Sequence, residues 1–296
     1  LVILVATAFG LGDVQSAQMS QGFNVLISGS FLYGGWRLMP TVPARRTLPE
    51  DCSLLKQGFV QVFETAREIQ RSYKKGLRWF YLCVIMAEAA AAAFTVVSVV
   101  YLDEQIGLSA TQIGIFFLVT LVGSPVGAYL ATVVTSRTDP KKSWMLSMTL
   151  LTIWAAGGAI VLDVYVESQI PVYFWGILIG VFLGWFYSSE NLFFSLVLPK
   201  GKGQEAELSG FFVYCTQILG WLPPLIFTAM VEANVSQTYA VVAVCMFFPL
   251  GIVFLLCSGS WEDILRESGR GIESKEVEEE EQEDEQEGSD LDCNRQ

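Results

Sequence analysis

The chain contains no histidine, which removes imidazole from any acid–base, proton-relay or metal-binding chemistry it performs. Only 16% of its residues are charged, well below the quarter that is common in water-soluble domains. Its six cysteines, at positions 52, 83, 215, 245, 257 and 293, show no C-x-x-C spacing. Neither a disulfide framework nor a zinc site is indicated, and the thiols are read as reduced. There is no glycine-rich nucleotide cradle, catalytic triad or cluster of metal ligands, so no enzyme activity, cofactor or metal is expected, and no nucleic-acid partner. A membrane hydrolase built on glutamates alone would lack a nucleophile.

In place of these the chain has apolar length. Half of it is hydrophobic (52%) and the mean hydropathy is +0.46, too apolar for a soluble domain and too evenly so for a single anchor. The expected class is an all-α polytopic membrane protein. The net charge of −12 is a local matter: residues 261–296 hold 15 acids and four bases, leaving 15 acids and 14 bases in the rest. The membrane body is therefore nearly neutral.

Residue 1 is Leu, and LVILVATAFGLG over 1–12 falls short of the roughly 20 residues that cross a hydrocarbon core. It also lacks the basic start and small-residue cleavage site of a signal peptide. The expectation is a sequence that enters inside a helix, the C-terminal portion of a longer protein. A short span follows at 22–39, ended by Arg37 and Pro40, and 41–78 is a polar linker. Within the linker, Phe59, Val62, Phe63, Ala66, Ile69 and Tyr73 recur at helical spacing opposite Glu64, Arg67, Glu68 and Arg71. This predicts an amphipathic helix, either at the membrane interface or packed on the end of the bundle. Six spans are predicted at 79–102, 111–135, 143–163, 171–198, 205–231 and 237–258.

Lys and Arg collect in cytosolic loops of membrane proteins. Nine of the 18 bases lie in 37–78, three more are Arg137, Lys141 and Lys142, two are Lys200 and Lys202, and four follow residue 260. The alternate loops, 13–21, 103–110, 164–170 and 232–236, hold none. The count places all bases on one side, with the C-terminus cytosolic. The acidic run from Glu273 to Asp292 has no periodicity and is expected to be a disordered, solvated tail. The sequon at Asn234 lies on the opposite side, in a loop too tight for efficient glycosylation.

Two acids fall deep within spans, Glu88 and Glu190. Both lie roughly 12–14 Å from the basic side at 1.5 Å per residue, and no Lys or Arg in any span neutralises them. An intramembrane carboxylate is by default a functional candidate. Two at one depth suit a proton, or the amine of a solute, with Asn191, Tyr187 and Gln217 as further polar candidates; hydrogen bonding between helices is the structural alternative. Gly176, Gly180 and Gly184 make consecutive small-xxx-small steps that let helices approach closely or bend during gating. Pro223 and Pro224 break the next span by removing amide donors. Trp185, Tyr214 and Trp221 offer further amphipathic surface in the same two helices.

The hairpin LVLPKGKGQEAELSGFFVYCTQILGWLPPLIF over 196–227 resembles the signature of the vacuolar effluxer-like branch of the major facilitator superfamily, the autophagy-linked amino-acid effluxers. Pro199, Gly201, Glu205, Ala206, Glu207, Gly210, Phe211 and Tyr214 carry the resemblance. GFVQVFETAREIQ over 58–70 is similar to that family's segment ahead of the seventh helix, and TSRTDPKK over 135–142 stands where the superfamily has a basic loop. The resemblance implies a twelve-helix permease of which this chain supplies partial helix 5 and helix 6 (1–40), the linker (41–78), a six-helix half (79–258) and the tail (259–296). It implies that Glu88 and Glu190 stand in cavity-lining helices seven and ten. The family often has an Asp-Gly pair where Glu88-Ala89 stands and a base near Asn191, so the chain departs from it at both places.

The implied function is secondary active transport of a small solute, plausibly an amino acid leaving a vacuole or lysosome-like compartment, by rocking of two halves about a midplane site. The implied partners are the lipid bilayer, the solute, protons and the missing N-terminal half. The alternative is a membrane adaptor that recruits factors through its acidic tail.

Overall fold

The computed structural model describes residues 13–39, 54–72, 76–165, 170–199 and 205–269. The partial helix over 1–12, Gly201 with the rest of its turn, the first part of the linker and the acidic tail lie outside the described residues. Apolar backbone that must satisfy its own amides in lipid has helix as its only open solution here, and every described element is helical. Among the described residues six helices are long and apolar enough to cross a membrane: Gly76–Gln105, Ala110–Thr135, Pro140–Val164, Ile170–Val197, Glu205–Glu232 and Gln237–Leu256.

We number the elements α1 (Asp13–Leu38), α2 (Leu54–Ser72), α3 (Gly76–Val100), α4 (Ala110–Thr135), α5 (Pro140–Tyr165), α6 (Ile170–Val197), α7 (Glu205–Ile218), α8 (Leu222–Glu232), α9 (Gln237–Cys245), α10 (Phe247–Leu256) and α11 (Trp261–Glu267). Helix α1 begins at Asp13, so 13–21, whose polarity suggests a loop, is helical. The stretch has neither Pro nor Gly and carries three Gln, one Ala and one Met, which favour helix without making it strongly apolar.

Local chemistry sets the boundaries. Helix α3 runs into a single π turn, Tyr101–Gln105, whose hydroxyl at Tyr101 donates to Ala159 O at 2.7 Å. Ser109 and Gln112 cap α4 reciprocally, each side chain bonded to the other's amide. Asp139 Oδ1 accepts from Lys142 N at 2.7 Å at the start of α5. Two spans are interrupted. The fifth breaks at Leu219–Trp221, where Gly220 N and Leu222 N fall back on i→i+3 bonds, immediately before Pro223 and Pro224 open α8. The sixth breaks at Met246, where Pro249 withholds the amide that would bond Cys245 O.

Two apolar clusters hold the bundle. At the basic end the Phe80 ring lies 5.0 Å from Phe193, 5.6 Å from Trp144 and 6.1 Å from Phe212, and Phe194 stacks on Phe212 at 4.2 Å. At the opposite end Trp175 packs against Phe94, Tyr101 and Phe116. There Trp154 and Trp175 each donate their indole N–H to the other's carbonyl, at 3.2 and 3.0 Å, tying α5 to α6.

The closest crossing is between α4 and α6. A Cβ built on Gly180 would lie 1.9 Å from Thr120 O, one on Gly184 2.0 Å from Ser124 O, and one on Gly127 1.8 Å from Val181 O. Neighbouring Gly123 would meet Ile177 O at 2.4 Å and Gly176 the Phe116 ring at 2.7 Å. Backbone rests on backbone at three successive crossings, which only glycine allows.

Candidate functional site

The crossing of α3 with α6 carries the two intramembrane acids. Glu88 projects from α3 with 8% of its surface exposed, and Glu190 from α6 with 1%. The two carboxyl groups are within hydrogen-bonding range of each other. Glu190 Oε1 is fully buried, and no N–H or O–H among the described residues donates to it. Carboxyl oxygens have no hydrogen of their own when ionised. A proton held between them, or a solute ammonium or other cation in the same place, would satisfy both carboxylates.

Tyr187 stands one turn before Glu190 on α6, within electrostatic reach of both acids. Its ring also lines a pocket of about 250 Å³ between α3, α4 and α6, together with Phe94, Thr95, Phe116, Thr120 and Leu183. Tyr187 thus joins the acid pair to an apolar recess whose lining includes the Gly180 crossing. Asn191 is exposed and donates its amide to Tyr187 O at 2.9 Å, folded on its own helix and not onto the acids. Gln217 lies on the exposed face of α7 beside Thr216, and the structure does not bring it to the pair. Trp221 is likewise exposed, bonded to Ile218 O, and Tyr214 packs by Phe211.

A second polar layer does not stand out in the sequence. Trp185 Nε1 donates to Ser143 Oγ at 3.0 Å, and Ser143 Oγ lies 3.1 Å from Ser189 Oγ, both serines fully buried. This relay fixes the α6 turn that presents Glu190. Its only signal is small hydroxyl residues within apolar spans, which are too common to single out two of them. Gly123 and Gly127, the other side of the glycine crossing, carry a readable signal of their own in the G-x-x-x-G spacing of GSPVG. Among the described residues no group of three or more His, Cys, Asp or Glu side chains is placed to hold a metal ion.

The hairpin residues gather at the basic end. Pro199 is buried just after α6, Glu205 is exposed in the first turn of α7, and Gly210 has open space around it. Glu207 Oε1 accepts from Gln61 Nε2 at 2.6 Å and Thr65 Oγ1 at 2.5 Å, strapping α2 to α7. Hydrogen bonds to a charged acceptor contribute about 1.5–3 kcal/mol when buried, less at a half-exposed site. Glu207→Ala is expected to speed tryptic cleavage after Arg67 and Arg71 by roughly tenfold, because local release of α2 governs access. An unchanged cleavage rate would show that the strap does not hold α2.

A family model described as vacuole effluxer Atg22 like matches residues 1–260. The chain belongs to that family. The match takes in every span, the acid pair, the glycine crossing and the hairpin, and it gives this Atg22-like chain a membrane transport role at the vacuole in the setting of autophagy. No curated protein matches the chain.

Proposed function

We propose that this Atg22-like protein moves a small solute of the amino-acid class out of a vacuole-type compartment by alternating access, with Glu88 and Glu190 as a proton-coupled binding pair. The observation that carries the reading is the contact of two carboxyl groups, one fully buried, at a depth where neither of their spans carries a Lys or Arg. Such a pair exchanges a proton or a cation for very little rearrangement. Tyr187 and the recess beyond it supply the route by which a solute reaches the acids. The one-sided distribution of Lys and Arg supports a cytosolic basic end and a cytosolic C-terminus. A second six-helix half would close the site from the face that carries Tyr187 and Asn191, both exposed here.

The competing reading is an adaptor that works through its acidic tail. Removing 261–296 from the protein in vacuolar vesicles separates the two. A transporter keeps most of its efflux of preloaded, labelled amino acids, whereas an adaptor loses its effect on the cell while never showing flux. Absence of efflux from vesicles bearing the undeleted protein would overturn the transport reading.

A further inference from the structure

Helix α2 presents four different edges, and the strap to Glu207 accounts for only one of them. Gln61 and Thr65 bond Glu207, while Ile69 is 4% exposed and joins Leu77 and Leu208 in the basic-end cluster. Phe59 and Phe63, by contrast, are 67% and 74% exposed. At 3.6 residues per turn these rings sit about 40° apart, Arg67 follows about 40° beyond Phe63 and Arg71 about 80° beyond, and the docked residues occupy the other side. Glu64 and Glu68 fall past the arginines, between them and the docked edge. The order around the helix is docked edge, aromatic edge, basic edge, acidic edge.

The level of α2 relative to the bundle is fixed by its attachments. Its partners Glu207 and Leu208 lie in the first turn of α7, and Leu77 in the first turn of α3, where two spans enter the apolar layer. A helix held there lies at the depth of lipid headgroups. Aromatic rings beside a row of guanidinium groups at that depth match a leaflet carrying negative charge: the rings enter the headgroup and acyl boundary, and the arginines reach phosphate oxygens. The linker over 41–78 adds to this, with eight bases against four acids.

We propose that α2 is a lipid-binding helix that rests on the leaflet at the basic end of the bundle, with Phe59 and Phe63 inserted and Arg67 and Arg71 engaging anionic headgroups. The contact is independent of the solute site and of the proton reading of the acid pair.

Amide hydrogen exchange of the whole protein, followed over α2, provides the test in three settings: detergent, nanodiscs of phosphatidylcholine, and nanodiscs in which a third of the lipid is phosphatidylserine. Docking to Glu207 is present in all three, so any lipid contribution appears as a difference between them. Exchange across 59–71 is expected to slow from detergent to phosphatidylcholine, and by roughly a further tenfold with phosphatidylserine. High salt should remove the second step. R67Q with R71Q is expected to abolish the phosphatidylserine step alone, and F59S with F63S both steps. Equal exchange of the parent protein in all three settings would overturn the proposal, as would protection that tracks protein concentration and not lipid, which would assign the edge to a second copy.

Discussion

Gly180→Ala is expected to destabilise the bundle by about 3 kcal/mol or more, the upper range for an overpacked contact. The reason is geometric: the added methyl would sit 1.9 Å from Thr120 O, and the obstruction is backbone, which has no rotamer to change. Relief requires α4 and α6 to move apart, and that movement also loosens the contacts at Gly184 and Gly127 one turn away. The control lies in the neighbouring helix. A Cβ at Gly157 would meet nothing within 4 Å, so Gly157→Ala is expected to be neutral or slightly stabilising, since Ala is the better helix former. Denaturant titration of both variants in mild detergent decides it. A Gly180→Ala protein within about 0.5 kcal/mol of the parent, the ordinary scatter of innocuous substitutions, would mean the two helices are not in backbone contact.

The second large effect concerns coupling. Glu190→Gln preserves shape and hydrogen-bonding capacity but removes the exchangeable carboxyl proton. In the full-length protein it is expected to lower pH-gradient-driven efflux by about tenfold or more, in the usual range of coupling between two binding events, while leaving thermal stability nearly unchanged. Glu88→Gln should do the same. If the two carboxyls act on one proton, as proposed, the double variant should lose little more than either single one, the signature of residues in one network. Solute exchange without a gradient offers the internal check, being less affected than gradient-driven flux. If gradient-driven efflux were retained in both single variants, the pair would be an interhelical hydrogen bond and nothing more.

The class of the fold is readable because membrane spans are written as long apolar runs, and the six predicted spans agree with the structure to within a few residues. What escapes the sequence depends on partners distant in it. Thr65 reads as a neutral residue beside the apolar stripe of α2, yet it is buried because Glu207, 142 positions away, accepts its hydroxyl. The apolar stripe itself reads as a single face, whereas the structure buries Ile69 and leaves Phe59 and Phe63 outside. Periodicity reports that a face exists but not which part of it has a neighbour. Gln217 shows the reverse limit: a polar residue inside a span attracts attention, and only the structure reveals that it lies on the exposed face of α7 beside Thr216. The acids themselves are conspicuous because charge is so rare at that depth.

The backbone seam between α4 and α6 also bears on how the bundle can deform. Where main chain touches main chain there is no compliant layer of side chains, so small displacements meet steep repulsion and the two helices behave as one stiff beam. The softest points elsewhere are Leu219–Trp221 and Met246, where regular i→i−4 bonding lapses beside proline. Stress applied to the bundle is therefore expected to concentrate at these two joints, away from the seam that carries Glu190.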